Sequence, residues 1–248
     1  MSPRPAVTVV AALLTLLPAL ALASPGAKKA SSDPSVQDVV SRHLQAVGGE
    51  EKLRAAKSFQ ATSLKQDAEG VATATTYRAR PNLVRYEHQK DGVVKVKAFD
   101  GKQAWMLEDG QAKAMPAEKS KMMGEHALFD DVLLDPAKRG VKLSVAGVED
   151  VKGAPAYKLT LTKGQDVETR YIDQQSFLEV KRVARGTHEG KAYEKTVHFS
   201  DPRPVDGIMI NHVTEWEVDG KKGRSVVESA RFNAPLDKAL FQLPRGRS

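Results

Sequence analysis

Residues 141–145 and 157–161 read VKLSV and YKLTL. In both, Val141, Leu143 and Val145, then Tyr157, Leu159 and Leu161, alternate with Lys142, Ser144, Lys158 and Thr160. A period of two sends apolar side chains to one face of an extended strand and polar ones to the other. That is the pattern of an antiparallel sheet covered on one side and wet on the other. Working outward, the same period holds from Ser58 through most of the chain, for example Val94, Val96 and Ala98 against Lys95 and Lys97. Turn signals divide the runs at Ala68-Glu69-Gly70, Asp91-Gly92, Asp100-Gly101, Asp109-Gly110, Lys163-Gly164, Glu189-Gly190 and Asp219-Gly220. The count comes to about ten or eleven strands, a number that curls or closes rather than staying flat.

Two regions leave this period. Asp33-Pro34 reads as a helix cap followed by proline at the first helical position. Val36, Val39, Val40, His43, Leu44 and Val47 then recur at helical spacing until Gly48-Gly49 stops the helix. A second short helix covers Glu50 to Lys57, with Leu53 and Ala56 inward. Between strands, Pro116 to Arg139 carries Met122, His126, Phe129 and Leu133 at helical spacing, with Met123 and Val132 alongside. This predicts one or two short helices, interrupted at Asp135-Pro136. Strands with helices packed from one side make an α+β domain.

The amino end has the grammar of an export signal: Arg4, an apolar run from Ala6 to Ala23, and Ala21-Leu22-Ala23 before Ser24. The expected organisation is a cleaved signal over 1–23, a flexible lead-in over 24–32 and a single domain over 33–248. The sequence contains no cysteine, which excludes disulfides, thiolate metal sites, cysteine nucleophiles and a lipidated amino-terminal cysteine. The expected product is therefore exported, periplasmic and not itself lipidated. A net charge of +7 favours transient contact with anionic membrane surfaces. Nucleic acid is not expected, because the basic residues are scattered among 31 acids without a recognition motif.

Catalytic constellations are missing. The six histidines are dispersed, and no H-E-x-x-H pair is present. There is no G-x-S-x-G elbow and no phosphate loop. His198 and His212 are the one pair that cross-strand pairing could bring together. No cofactor, no metal and no enzymatic activity are expected.

Four stretches resemble the outer-membrane lipoprotein-sorting protein family with its LolA/LolB-like fold. They are HLQAVGGEEKLRAAKSF (43–59), FDGKQAWML (99–107), RYIDQQSFLEVKRV (170–183), and GIMINHVTEWEV with VVESARFNAPLDKALFQLP, within 207–244. The resemblance implies a strongly curved antiparallel half-barrel with helices on its concave face and an apolar cavity between them. It implies a carrier of lipid or acylated lipoprotein, with an inner- or outer-membrane partner protein. The alternative is an envelope stress sensor or protein-interaction module on the same scaffold. Residues expected to line the cavity or its lid are Phe59, Tyr86, Val96, Trp105, Met122, Met123, Phe129, Leu133 and Trp216. Methionines suit such a lid, because their unbranched side chains adapt to irregular apolar partners. Arg78, Arg80, Arg85 and Lys97 are candidates to hold a head group or pair with lid carboxylates.

Overall fold

The structure, a computed structural model, describes residues 34–188 and 190–244. The expected signal, the lead-in, Asp33 and Glu189 lie outside these residues. Helix α1 (Val36–Val47) opens at Ser35, whose Oγ accepts from the Asp38 N–H while the Asp38 carboxylate accepts from the Ser35 N–H. This reciprocal box satisfies two free backbone donors at once, so the cap is Ser35 rather than the expected Asp33. Gly48 and Gly49 follow with φ of 141° and 88°. A Cβ on Gly48 would stand 2.8 Å from the Gly207 carbonyl oxygen, so the chain here needs glycine for both conformation and space. Helix α2 (Glu50–Ala55) is shorter than expected because Ala56 is already extended, with ψ of 127°.

Thirteen antiparallel strands follow. They are β1 (Ser58–Asp67), β2 (Gly70–Ala79), β3 (Leu83–Lys90), β4 (Val93–Phe99), β5 (Ala104–Glu108), β6 (Gln111–Ala114), β7 (Lys142–Val151), β8 (Ala154–Lys163), β9 (Asp166–Asp173), β10 (Glu179–His188), β11 (Lys191–Val205), β12 (Ile208–Val218) and β13 (Lys221–Phe232). Helix α3 (Ala117–His126) and two 3-10 turns, Val132–Leu134 and Ala137–Arg139, lie between β6 and β7. The sheet order is β6-β5-β4-β3-β2-β1-β13-β12-β11-β10-β9-β8-β7. Two meanders are thus joined at the middle by β1 and β13, and the curved sheet does not close. The sequence count fell short partly because β6, QAKA, is only four residues long and alternates only through alanines. Strand β7 forms one free edge and is bulged between Val145 and Val148, where Gly147 has φ of 96°.

Pairing fixes which side chains share the concave face. Phe59 stands opposite Phe232 and Arg78, Arg78 opposite Val84, and Val84 opposite Phe99. On the other arm Leu159 stands opposite Arg170, and Arg170 opposite Arg182. Helix α1 and the Val132–Leu134 turn bury Val39, Leu44, Leu133 and Leu134 against Leu159, Leu161 and Ile172. Helix α3 lies on β4 and β5, with Gly124 so close to the Phe99 ring that a Cβ would approach it to 2.8 Å. Burial of each large core side chain contributes about 1.5–3 kcal/mol.

The convex face has its own cover, contrary to the expectation that packing elements lie only inside. Val96, Ala98 and Trp105 are buried there with Leu107 and Ala112. The 3-10 turn Lys238–Phe241 closes over this arm, with the Trp105 Nε1–H donating to the Phe241 carbonyl at 2.7 Å and Arg85 donating to the Leu240 carbonyl at 2.9 Å. In β4 the expected orientation is therefore reversed. Val96 and Ala98 point outward beneath the carboxyl-terminal turn, and Lys95 and Lys97 share the concave side with Tyr86 and Val84.

Candidate functional site

Beyond α3 the chain runs over the concave face as a strap from Ala127 to Arg139. The expected helical stripe ends at His126, and the physical reason lies beneath it. Arg78 takes the carbonyls of His126 and Leu128 at 3.1 and 2.6 Å, which removes acceptors that a continuing helix ladder uses. Between strap and sheet is a cavity of about 420 Å³. Phe59, Phe232, Ile208 and Ile210 form its floor, Leu53 and Ala56 one end, and Leu128, Phe129, Val132 and Leu134 its roof. Its volume falls within the ~300–1,000 Å³ typical of ligand sites, and its lining joins an apolar floor and roof to a charged rim of Arg78, Glu125, His126, Asp130, Asp131, Arg139 and Arg170.

Four arginines hold the strap down: Arg78 and Arg170 from the sheet, Arg54 from α2 and Arg80 from the turn after β2. Arg80 forms a two-point fork with Asp130 at 2.5 and 2.6 Å, donates to the Ala56 carbonyl at 2.6 Å and lies over the Phe129 ring at 5.1 Å. Arg54 donates to Asp135 at 2.7 Å and to the Leu134 carbonyl at 2.9 Å. Arg170 meets both oxygens of Asp131 at 2.8 and 3.0 Å. Arg78 supplies the carbonyl contacts already described. The planar guanidinium fork matches a carboxylate in a way that a lysine does not.

Arg170 belongs to a charge cluster beneath the strap. Its Nε donates to Glu168 at 2.7 Å, and Arg182 forks onto Glu179 at 2.6 and 2.7 Å. Burial acts to raise the Asp131 carboxyl, but the Arg170 charge, the Leu133 N–H and Arg182 outweigh it and hold the group well below the usual carboxylate range. Asp131 nevertheless keeps 40% of its side-chain surface accessible and is one of the residues lining the cavity. Glu179 is also lowered, with Arg182 and Arg170 overcoming its burial. His43 is buried and its basicity is reduced, mainly by desolvation. Its Nδ1 lies 2.9 Å from the Phe177 carbonyl; since a carbonyl only accepts, Nδ1 carries the proton.

No protein-family model and no curated protein matches the sequence. Solved structures do match its backbone. A DUF1329 family protein from Desulfovibrio piger superposes with a TM-score of 0.58 at 13% identity, over 84% of this chain and 97% of the other. A LolA superfamily protein from Nitrosomonas europaea gives 0.57 at 11%, over 84% and 98%. The chain has the LolA-like fold. An outer membrane lipoprotein-sorting protein domain from Vibrio parahaemolyticus gives 0.53 at 12% identity, over 84% and 95%.

Within this LolA-like fold the expected site residues separate into groups. Phe59 and Phe129 line the cavity. Tyr86 and Met123 pack on the concave face beside Val84, Phe99 and Met115, next to α3. Leu133 is 2% exposed in the core under α1, and Met122 is 40% exposed. Val96 and Trp105 lie on the convex face, away from the cavity. Trp216 lines a separate depression of about 380 Å³ with Gly223, His198 and Glu215. His198 pairs with Glu215, and His212 lies an odd number of residues along β12 from it, so the two imidazoles project to opposite faces and do not converge. Among the described residues no group of three or more His, Asp or Glu side chains is placed to hold a metal. Ile208, Ile210 and Phe232 were missed as lining residues, although GIMIN and ARFN carry the alternation that marks them.

Proposed function

We propose that this protein is an exported periplasmic carrier that shelters the acyl chains of a lipid or lipidated protein between the sheet and the 127–139 strap. The carrying observation is the cavity of about 420 Å³, whose floor and roof are mostly Phe, Leu, Ile and Val. Each methylene moved from water into it contributes about 0.8 kcal/mol, so a single acyl chain supplies enough free energy for capture. The 128–131 limb of the strap is held chiefly by polar contacts with Arg78, Arg80 and Arg170, which suits a cover that opens, while Leu133 and Leu134 anchor its far end in the core. No helix among the described residues is long and apolar enough to cross a membrane, consistent with a carrier that works away from the bilayer. The role is binding rather than catalysis.

The test is direct. Protein purified from the periplasm is extracted and analysed by mass spectrometry, and delipidated protein is titrated with a fluorescent fatty acid. Co-purified acyl lipid and saturable probe binding that Phe129→Asp abolishes are expected. Absence of both sinks the carrier reading.

A further inference from the structure

The space beneath the strap has a limited capacity. The β12–β13 ladder runs only from Val213 opposite Val226 to Val218 opposite Lys221, and Ile208, Ile210 and Phe232, all beyond its end, floor the cavity. Growth along the strap is blocked at both flanks. On one, Ala127 is packed with Val84 and Phe99; on the other, Leu133 and Leu134 are packed with Leu159 and Ile172. Close-packed cores of this kind yield no room without coming apart. A methylene group takes up roughly the 30 Å³ that a water molecule does in the liquid, so the cavity of about 420 Å³ accepts a single chain of about fourteen carbons. A second chain would need as much space again.

The charge of the lining points to what that chain carries. Its three acids are each matched by a base: Glu125 by Lys163 at 3.4 Å, Asp130 by Arg80 at 2.5 Å and Asp131 by Arg170 at 2.8 Å. Two lining bases, Arg78 and Arg139, meet no carboxylate among the described residues and donate only to backbone carbonyls. Of these, Arg78 adjoins the apolar floor. It stands directly opposite Phe59 across β2 and β1, and the Phe59 and Phe232 rings are 4.8 Å apart. Its Nη2 serves the His126 and Leu128 carbonyls, which leaves the Nε and Nη1 donors without a partner among the described residues. Glu125, His126 and Leu128 line the cavity and are exposed, so Arg78 stands where the cavity meets water. A guanidinium with spare donors and no acid of its own, set beside an apolar floor, suits an anion that trails a hydrocarbon chain.

We propose that this site takes a single-chain acyl anion, one carboxylate- or phosphate-headed molecule per protein, with its chain on Phe59, Phe232 and Ile210 beneath the strap and its head group on Arg78. This rests on the carrier reading and narrows its cargo to one chain.

Delipidated full-length protein is incubated in turn with myristate, tetradecyl phosphate, 1-tetradecanol and dimyristoyl phosphatidylglycerol. Native mass spectrometry counts the bound molecules, and calorimetric titration gives the affinities. One single-chain molecule per protein is expected, with the two-chain lipid bound about tenfold more weakly or not at all. Wild type is expected to prefer at least one of the two anions over the alcohol by about tenfold, the factor that 1.4 kcal/mol supplies, and the anion preferred identifies the head group. In R78Q that preference is expected to fall to about twofold or less. The same change loosens the strap for anion and alcohol alike, so the loosening cancels in their ratio. R78K is expected to keep part of the preference, and K113Q, which removes equal charge on β6, all of it. Two or more chains per protein, or the two-chain lipid bound as tightly as myristate, overturns the single-chain assignment and leaves the carrier reading standing. No preference for either anion, a preference that survives in R78Q, or one that K113Q loses as fully as R78Q, overturns the head-group assignment. Binding of none of the four molecules overturns the carrier reading as well.

Discussion

Replacing Arg80 by methionine tests whether the strap is a latched cover or simply part of the core. The side chain makes four donations, to Asp130 at 2.5 and 2.6 Å and to the carbonyls of Ala56 at 2.6 Å and Leu53 at 3.3 Å. Methionine keeps the contact with Phe129 but leaves Asp130 without its fork. A hydrogen bond to a charged group contributes about 1.5–3 kcal/mol when shielded, whereas an exposed ion pair contributes about 0–1. The two side chains here are 29% and 25% accessible, so the loss is set at about 2–3 kcal/mol, all of it on the closed strap. At tenfold per 1.4 kcal/mol, the open population rises about 30- to 150-fold. Hydrogen exchange read by mass spectrometry is expected to show that loss of protection over residues 128–131 while β8 and β9, and the Val132–Leu134 turn packed on them, exchange as before. Fatty-acid probe association should accelerate with it, and Arg80→Lys should fall between, having charge without the fork. If protection falls equally across β8, β9 and the strap, or does not change at the strap, the latch argument is wrong.

Three further outcomes follow from the packing and charge. Leu159→Ala empties a fully buried position beneath α1 and is expected to cost about 2–5 kcal/mol in urea unfolding at an unchanged m value. At Gly223 a Cβ would stand 2.1 Å from Cζ2 of Trp216; Gly223→Ala must displace the indole at about 1–3 kcal/mol, visible as a changed tryptophan emission. Asp131 has its folded pKa below its ordinary 3.8, so its contribution is present above pH 3.8 and is lost as pH falls through the lowered value. The stability gap between wild type and Asp131→Asn should therefore be constant near neutrality and shrink below about pH 3.8, as urea midpoints across pH will show; a gap that widens on acidification refutes the assigned sign.

The sheet was readable because a period of two survives for ten residues at a time in strands such as β8 (Ala154–Lys163). What the period does not reveal is which face looks inward when both faces are covered. Val96 reads as cavity wall, yet the carboxyl-terminal turn, which is more than a hundred residues away, gives it and Ala98 a second interior. The latch was only partly legible. Arg80 and Arg78 stood out as candidate partners for lid carboxylates, but Arg80 meets Asp130 across 50 residues and Arg170 meets Asp131 across 39, and no local spacing encodes such meetings. The helix after Pro116 was legible from its spacing, and its early end was not, because that end depends on a guanidinium supplied by β2.

A sheet of thirteen strands that stops short of closing leaves two rows of unsatisfied backbone groups, an invitation to another chain's strand. Each margin is guarded in its own way. At one, β6 is only four residues long, too brief to template much. At the other, the bulge around Gly147 throws β7 out of step halfway along, so an incoming strand finds no unbroken ladder to follow. The molecule can thus hold its greasy hollow open without polymerising through its rims.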